Sequence, residues 1–283
     1  MPGRLEGKVA VVTGGGWNVG RSVALAFARE GAKVAIAGRT PERLRETVDL
    51  IADAPDGSRA AIGVITDVTK LRHCERLVAR THEAFGPVDV MACIAGGGGG
   101  YEPLDSIDPG WWRSVIDANV VGTFHAIRAA LPDMRAKGKG SILTCAGGGA
   151  FFPLVGIHAT AYAVAKAGLC RLTDQLAVEV FDAGIRVNGL QPEQTWSPDT
   201  LAKIEAEEAR TGVPHPDRAT NHTPEEAAEL AVWLASDESA PLSGRTVSVH
   251  DTWWRDPAQV ERVIASLHAY TLRRVDADAR VPQ

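Results

Sequence analysis

Seven short segments of the chain are rich in β-branched and other apolar residues, and they predict β-strands. Most of them are almost continuously apolar, which is typical of parallel strands covered on both faces. The segments are KVAVVT (8–13), KVAIAG (33–38), AAIGVIT (60–66), VDVMACIAG (88–96), SILTC (141–145), IRVNGL (185–190) and TVSVH (246–250). The pattern therefore predicts a parallel sheet of seven strands.

Longer stretches with the apolar spacing of amphipathic helices separate these segments, for example VGRSVALAFARE and AYAVAKAGLCRLTDQLAVEVFDAG. Thr40-Pro41 and Thr223-Pro224 each place a proline at a first helical position behind a capping threonine. This alternation predicts a single doubly wound α/β domain of Rossmann type, with helices on both faces of the sheet. We expect the domain to span residues 1–250 and residues 251–283 to form a C-terminal tail extension.

The composition is that of an ordinary globular protein and excludes several classes of function. The net charge of -5 offers no basic footprint for a nucleic acid. The four cysteines lie far apart, which signals neither a zinc site nor a disulfide framework and favours a reducing compartment. The chain shows no signal pattern and no apolar run long enough to span a bilayer. We therefore expect a cytoplasmic protein with no metal, membrane or nucleic-acid partner.

Two motifs carry candidate chemistry. The glycine-rich turn TGGGWNVG (Thr13–Gly20) follows the first strand and opens the first helix, where a doubly wound sheet binds a dinucleotide pyrophosphate. Tyr162 and Lys166 lie one helical turn apart, so both project from one face of a helix. A lysine ammonium and an oxidised nicotinamide ring together lower the pKa of a phenol, which can then exchange a proton near neutral pH.

With these motifs, the chain resembles the short-chain dehydrogenase/reductase family from about Leu5 to His250. Asn18 replaces the middle glycine of the family's T-G-x-x-x-G-x-G fingerprint. Asparagine is the residue with a side chain that best tolerates a positive φ, so the turn can survive. The resemblance implies a nicotinamide cofactor held by Thr13, Gly14, Gly16, Asn18, Val19, Gly20, Arg39, Asp67, Val68, Ala95, Gly96, Pro192 and Ser197.

The end of the second strand bears on the choice of cofactor. An NAD-dependent member of the family usually has an acidic residue at the position of Gly38, where it holds the ribose 2′-hydroxyl. In this chain Arg39 follows Gly38, and a guanidinium suits a 2′-phosphate. We therefore favour NADP(H) over NAD(H).

The same resemblance makes Tyr162 the general acid/base, Lys166 its partner, and Asn119 the brace of a water that links the lysine to solvent. The family's catalytic serine has no counterpart, since no serine lies between Ser141 and Tyr162. Removing one such donor typically slows a reaction by about 10²–10³. Three replacements are open: a hydroxyl from Thr144 or Thr160, the imidazole of His158, or Gly147, Gly148 and Gly149. We favour the glycines, which expose backbone N–H groups or leave room for a bulky substrate.

These residues favour an NADP-dependent oxidoreductase that acts on a bulky apolar carbonyl, alcohol or activated alkene. The alternatives are a cofactor-retaining enzyme of dehydration, isomerisation or cyclisation and, in third place, a non-catalytic protein that binds NADP or another ligand.

We expect a substrate lid at about residues 193–222, with Glu193 and Trp196 beside the substrate. The doublets Phe151-Phe152 and Trp253-Trp254 indicate an apolar substrate or, equally, an interface or core. The resemblance implies a homotetramer, with a homodimer as the alternative. The tail, with His268, Tyr270, Arg273 and Arg274, would then cover the lid of its own or a neighbouring subunit.

Overall fold

The structure, a computed structural model, describes residues 2–51, 60–99, 101–266 and 268–272. Seven parallel strands form one sheet in the order β3-β2-β1-β4-β5-β6-β7. They are β1 (Val9–Thr13), β2 (Lys33–Gly38), β3 (Ala61–Ile65), β4 (Val90–Cys93), β5 (Gly140–Cys145), β6 (Ile185–Gln191) and β7 (Thr246–Ser248). The predicted doubly wound sheet is confirmed, and no strand extends more than one residue beyond its predicted segment.

Helices cover both faces of this sheet. Within the described residues they are α1 (Asn18–Arg29), α2 (Pro41–Asp49), α3 (Leu71–Phe85), α4 (Pro109–Ile116), α5 (Gly122–Lys137), α6 (Thr160–Glu179), α7 (Pro198–Thr211), α8 (Pro224–Ala235) and α9 (Pro257–Ala265). Thr223 caps α8 through a reciprocal capping box with Glu226. Thr40 occupies the N-cap of α2, but its side chain makes no capping hydrogen bond. None of these helices is long and apolar enough to cross a bilayer.

The apolar core is divided between the two faces of the sheet. On one face, Phe27 of α1 and Leu230 and Leu234 of α8 are fully buried. On the other face, Leu77 of α3 and Met134 of α5 are fully buried as well. Each such side chain stabilises the fold by roughly 1.5–3 kcal/mol relative to an exposed position. The two layers hold the strands from both sides and leave the ends of the sheet open.

The described part of the tail packs onto its own domain. Trp253 and Trp254 are each only 5% exposed, and their ring centroids lie 5.9 and 5.5 Å from that of Trp233 in α8. The backbone N–H of Thr246 in β7 donates to the carbonyl of Tyr270 at 2.9 Å. The doublet is therefore part of the core, and the tail covers the edge of β7. Arg273 and Arg274 lie outside the described residues.

Candidate active site

A cavity of about 480 Å³ opens where strands β1 to β6 end. Open α/β sheets bind ligands in the crevice at the carboxyl ends of their strands. The cavity brings together many of the residues predicted from the sequence: Gly14, Asn18, Val19, Gly20, Arg39, Asp67, Val68, Ala95, Gly96, Gly147, Tyr162, Lys166, Pro192 and Glu193.

The glycine-rich turn forms one wall and fits a dinucleotide. Gly14 has φ +71°, and a side chain there would place its Cβ 2.9 Å from the backbone nitrogen of Ala95. A side chain at Gly20 would collide with the carbonyl of Gly14. The two backbones approach this closely only because both positions are glycine. Helix α1 begins in this turn, so its free N–H groups meet the cavity, as a pyrophosphate requires.

Asn18 adopts the left-handed conformation predicted for it, with φ 44°. Its Nδ2 donates to the carbonyl of Thr195, beyond β6, at 3.4 Å. Its buried Oδ1 has no hydrogen-bond partner among the residues that the structure describes. The asparagine therefore preserves the turn and ties it to the segment after β6.

Asp67 and Arg39 lie at the end of the cavity formed by β2 and β3. Burial raises the pKa of Asp67, but two hydrogen bonds from Thr69 and the charges of Lys70 and Arg39 hold it below its ordinary value. Trp17 lines the same end, and the Arg43 guanidinium lies 4.1 Å from its ring centroid. No sequence motif indicates a role for Trp17 or Arg43, because a stacked pair has no fixed spacing along the chain.

Tyr162 and Lys166 project from α6 into the cavity. Lys166 Nζ donates to the carbonyl of Cys145 at 2.8 Å and lies 5.4 Å from the centroid of the Tyr162 ring. Burial raises the pKa of Tyr162 well above its ordinary value, and the ionised forms of Cys145, Tyr101 and Glu193 raise it further. The residues of the chain alone therefore do not lower this pKa. The predicted lowering also requires the charge of an oxidised nicotinamide.

Asn119 lies behind the cavity, in a single π-helical turn (Asp117–Val121) between α4 and α5. Its Nδ2 donates to the carbonyls of Val115 and Gly97, both at 2.8 Å, and its Oδ1 accepts from the N–H of Gly97 at 3.2 Å. Such turns are frequent at functional sites. Here the turn lets the buried amide hold the glycine-rich loop that follows β4.

The Tyr162 ring lies between two stretches of glycine backbone. A side chain at Gly147 would place its Cβ 2.5 Å from Tyr162 Oη, and one at Gly98 would place it 2.8 Å from Tyr162 Cδ2. Of the three glycines after β5, Gly147 lines the cavity, whereas Gly148 faces Leu154 and Gly149 lies closest to Ala163. The phenol thus occupies space that any side chain at position 147 would need.

Several predicted site residues do not line the cavity. The Thr13 hydroxyl accepts from the N–H of Ala95 behind it at 3.1 Å, and Gly16 packs against Arg43. Ser197 caps α7 by accepting from the N–H of Thr200 at 3.2 Å. His158 is exposed.

Two more predicted groups are engaged elsewhere. Trp196 packs edge-on against His215, with ring centroids 5.1 Å apart. Thr144 is buried and shares a 2.6 Å hydrogen bond with Thr173. The hydroxyl residue that lines the cavity after β6 is Thr195, two positions before the predicted Ser197. Ser197 differs from the prediction because it caps α7, a role that the sequence motif does not reveal.

A doubly wound sheet with a dinucleotide turn and a paired tyrosine and lysine defines the class of nicotinamide-dependent oxidoreductases. Comparison with known proteins agrees, because the family model for short chain dehydrogenases matches residues 8–209. The chain belongs to the short-chain dehydrogenase/reductase family.

Relatives match over most of their length. The chain is 35% identical to an A-factor type gamma-butyrolactone 1'-reductase (1S-forming) of Streptomyces virginiae, over 87% of this chain and 95% of the relative. It is 32% identical to the short chain dehydrogenase/reductase astE of Aspergillus oryzae, over 87% and 94%. A putative short-chain dehydrogenase/reductase from Burkholderia xenovorans has the same fold, with TM-score 0.75, 29% identity and 87% and 96% coverage.

Proposed function

We propose that the protein is an NADP-dependent oxidoreductase that transfers hydride between NADPH and a bulky apolar carbonyl or alcohol, or an activated alkene. The observation that carries the proposal is the Tyr162 hydroxyl, which lies against Gly147 in the same cavity as the glycine-rich turn. We propose further that the site is atypical for the family, because Gly147 leaves no hydroxyl where the family's serine would stand.

The residues of the chain divide the work between binding and proton transfer. The bound nicotinamide supplies the hydride in reduction and accepts it in oxidation. Tyr162 gives its proton to the substrate oxygen as a carbonyl is reduced and takes it back from an alcohol. One of the three N–H groups of the Lys166 ammonium donates to the Cys145 carbonyl, which leaves two for ligands in the cavity. Asn119 holds the loop against which the Tyr162 ring packs.

The preference for NADP rests on the β2 end of the cavity. Gly38 brings no carboxylate, and no salt bridge engages Arg39 within the part of the chain that the structure describes. The Arg39 guanidinium is therefore free to meet a 2′-phosphate. The Arg43–Trp17 stack adds a second cation at this end.

A fluorescence titration of the purified protein with NADPH and NADH tests this choice. We expect NADPH to bind at least about tenfold more tightly, a difference of about 1.4 kcal/mol. Arg39→Ala is expected to remove the difference, while Arg80→Ala, an exposed arginine of α3 paired with Glu83, retains it. Equal or tighter NADH binding contradicts the NADP assignment. A failure of both cofactors to bind overturns the proposed function.

The proposal of an apolar substrate rests on the loop between Gly147 and α6. Phe152 is 81% exposed and Val155 93% exposed, and Ile157 is also exposed. Exposed apolar side chains are a feature of surfaces that bind apolar ligands, and this loop follows Gly147, although these three residues do not line the cavity itself. Bulky aromatic ketones such as acetophenone and phenanthrenequinone are the first substrates to test with NADPH. Tyr162→Phe is expected to lower their turnover by about 10²–10⁴.

For assembly and location we propose a cytoplasmic homo-oligomer, either a homotetramer or a homodimer. Exposed apolar side chains on α5 and α6, among them Phe124 and Val164, support a shared helical face, as the resemblance implies. The tail covers the outer edge of β7 through Tyr270, which argues against a tetramer built on that strand. The four cysteines are free and buried, which supports a reducing compartment. Light scattering of the purified protein distinguishes two subunits from four.

A further inference from the structure

We infer that Tyr101 supplies the second hydroxyl of the site, which hydrogen-bonds the substrate oxygen beside Tyr162 in place of the family's serine. The inference deepens the proposed function and rests on it. No sequence motif includes Tyr101, because it lies in the loop after β4, far along the chain from Tyr162.

The two phenols lie close together across Gly98. The point where a side chain at Gly98 would place its Cβ is 2.9 Å from Tyr101 Oη and 2.8 Å from Tyr162 Cδ2. The Tyr101 hydroxyl therefore approaches the side of the Tyr162 ring through the gap that a glycine leaves, although Tyr101 is not among the residues that line the cavity. The ionised form of Tyr101 raises the pKa of Tyr162, which agrees with this proximity.

The loop that precedes Tyr101 is held in place. Asn119 bonds both the N–H and the carbonyl of Gly97, and Trp111 Nε1 donates to the carbonyl of Gly99 at 3.0 Å. These contacts attach the loop to the helix formed by α4 and α5. A hydrogen-bond donor on a fixed loop needs little rearrangement when negative charge develops on a substrate oxygen.

Three other hydroxyls near the site are already engaged, and Thr160, the remaining candidate from the sequence, does not line the cavity. Thr144 bonds Thr173, Thr195 donates to the carbonyl of Pro192, and Ser248 donates to Glu193. By contrast, no hydrogen bond from Tyr101 Oη to another described residue is present, and the side chain is about half exposed at 49%. Its O–H is therefore free to donate to a ligand.

The chemistry assigns different tasks to the two phenols. In reduction, hydride adds to the carbonyl carbon, the C=O π electrons move to oxygen, and the Tyr162 proton neutralises that oxygen. Tyr101 donates a hydrogen bond to the same oxygen and keeps its proton throughout. In oxidation the steps are reversed: Tyr162 takes the proton of the alcohol, the C=O bond forms again, and hydride leaves the carbon.

Tyr101→Phe tests the inference by removing the hydroxyl alone. With NADPH and acetophenone or phenanthrenequinone, we expect kcat to fall by about 10²–10³, while the Kd for NADPH and the melting temperature stay unchanged. Tyr270→Phe is the matched control, because it removes a phenol that packs against Trp253. If Tyr162→Phe is inactive and Tyr101→Phe stays within twofold of wild type, Tyr101 is not the second donor and the proposed function stands.

A binding measurement tests the role of Tyr101 as a donor separately from the proposed redox function. 4-Nitrophenolate presents an oxyanion, and its absorbance shift reports hydrogen bonding in the site. We expect Tyr101→Phe to weaken its binding about tenfold and Tyr270→Phe to leave it unchanged. Loss of binding in Tyr101→Phe with no turnover by wild type supports the donor and overturns the redox proposal. Wild type that neither turns over ketones nor binds the anion overturns both.

Discussion

Charged side chains form ion pairs at one end of the sheet, whereas at the other end two of them line the cavity without a salt bridge to another described residue. At the amino ends of the strands, Lys8 and Lys139 both pair with Asp237, at 2.8 and 2.9 Å, and Lys137 pairs with Asp89 at 2.6 Å. At the carboxyl ends, the described residues include no salt bridge to Arg39 or Glu193, although both side chains line the cavity.

The two ends of the sheet also differ in the size of their side chains. The strand starts carry long paired side chains, whereas the strand ends carry glycine backbone pressed against Tyr162. Paired charges complete the fold and need no ligand, while unpaired charges and bare backbone leave interactions for a ligand to make. The difference favours the carboxyl end of the sheet as the place of function.

Among the variants that test this difference between the two ends of the sheet, the largest effect is expected from filling the glycine wall. Gly147→Ala places a methyl group 2.5 Å from Tyr162 Oη, so the phenol must move. A displacement of this size typically costs about 10² in rate, and we expect that loss in kcat with no change in melting temperature.

Gly148→Ala is the matched control for this prediction, because its Cβ would meet only Leu154 at 3.4 Å. Gly147→Ser, which adds a hydroxyl group, is expected to lower activity as Gly147→Ala does. Full activity in either Gly147 variant would show that the backbone contact with Tyr162 is unimportant.

A smaller effect is expected from the carboxylate of the cavity. Glu193 Oε1 accepts from Gln191 Nε2 at 2.5 Å and from Ser248 Oγ at 2.6 Å. Its negative charge opposes ionisation of Tyr162 and so raises the pKa of that phenol. Glu193→Gln removes the charge, and the pKa of Tyr162 should then fall by on the order of one unit or less.

The pH dependence of alcohol oxidation with NADP⁺ measures this shift. Phenolate should form at a lower pH in Glu193→Gln than in wild type, and the rate of alcohol oxidation should rise at correspondingly lower pH. Glu238→Gln, an exposed carboxylate near the amino ends, serves as the control. An unchanged or higher pKa in Glu193→Gln would exclude an electrostatic effect of this residue on Tyr162.

The smallest effect is expected at the paired end. Hydrogen bonds from Lys8 and Lys139 lower the pKa of Asp237 to about 2. The carboxylate therefore stabilises the fold at neutral pH, and this contribution is lost as the pH falls from about 4 towards 2. Because the side chain is 61% exposed, we expect Asp237→Asn to cost less than about 1 kcal/mol at pH 7.

Thermal unfolding at neutral and acidic pH checks this prediction. The melting temperatures of wild type and Asp237→Asn should differ slightly at pH 7 and converge in acid. Asp105→Asn removes an exposed carboxylate that forms no salt bridge with the described residues, and should leave both unchanged. A larger gap in acid than at neutral pH would contradict the pairing.

Much of the fold and part of the site are readable in the sequence, because they depend on short-range constraints. Continuous apolar runs locate all seven strands, since a strand covered on both faces admits few polar residues. The left-handed turn at Asn18 follows from the conformational tolerance of asparagine. Tyr162 and Lys166 share a cavity wall because residues four apart lie on the same side of a helix.

Only the tertiary structure decides the contacts between distant segments. It buries Trp253 and Trp254 against α8, engages Ser197 as a helix cap, and brings Tyr101 beside Tyr162 across Gly98. Sequence alone leaves each of these open, because the partner of a side chain is set by the packing of elements that lie far apart in the chain. The backbone periodicity thus determines where the cavity forms, and long-range packing decides which side chains line it.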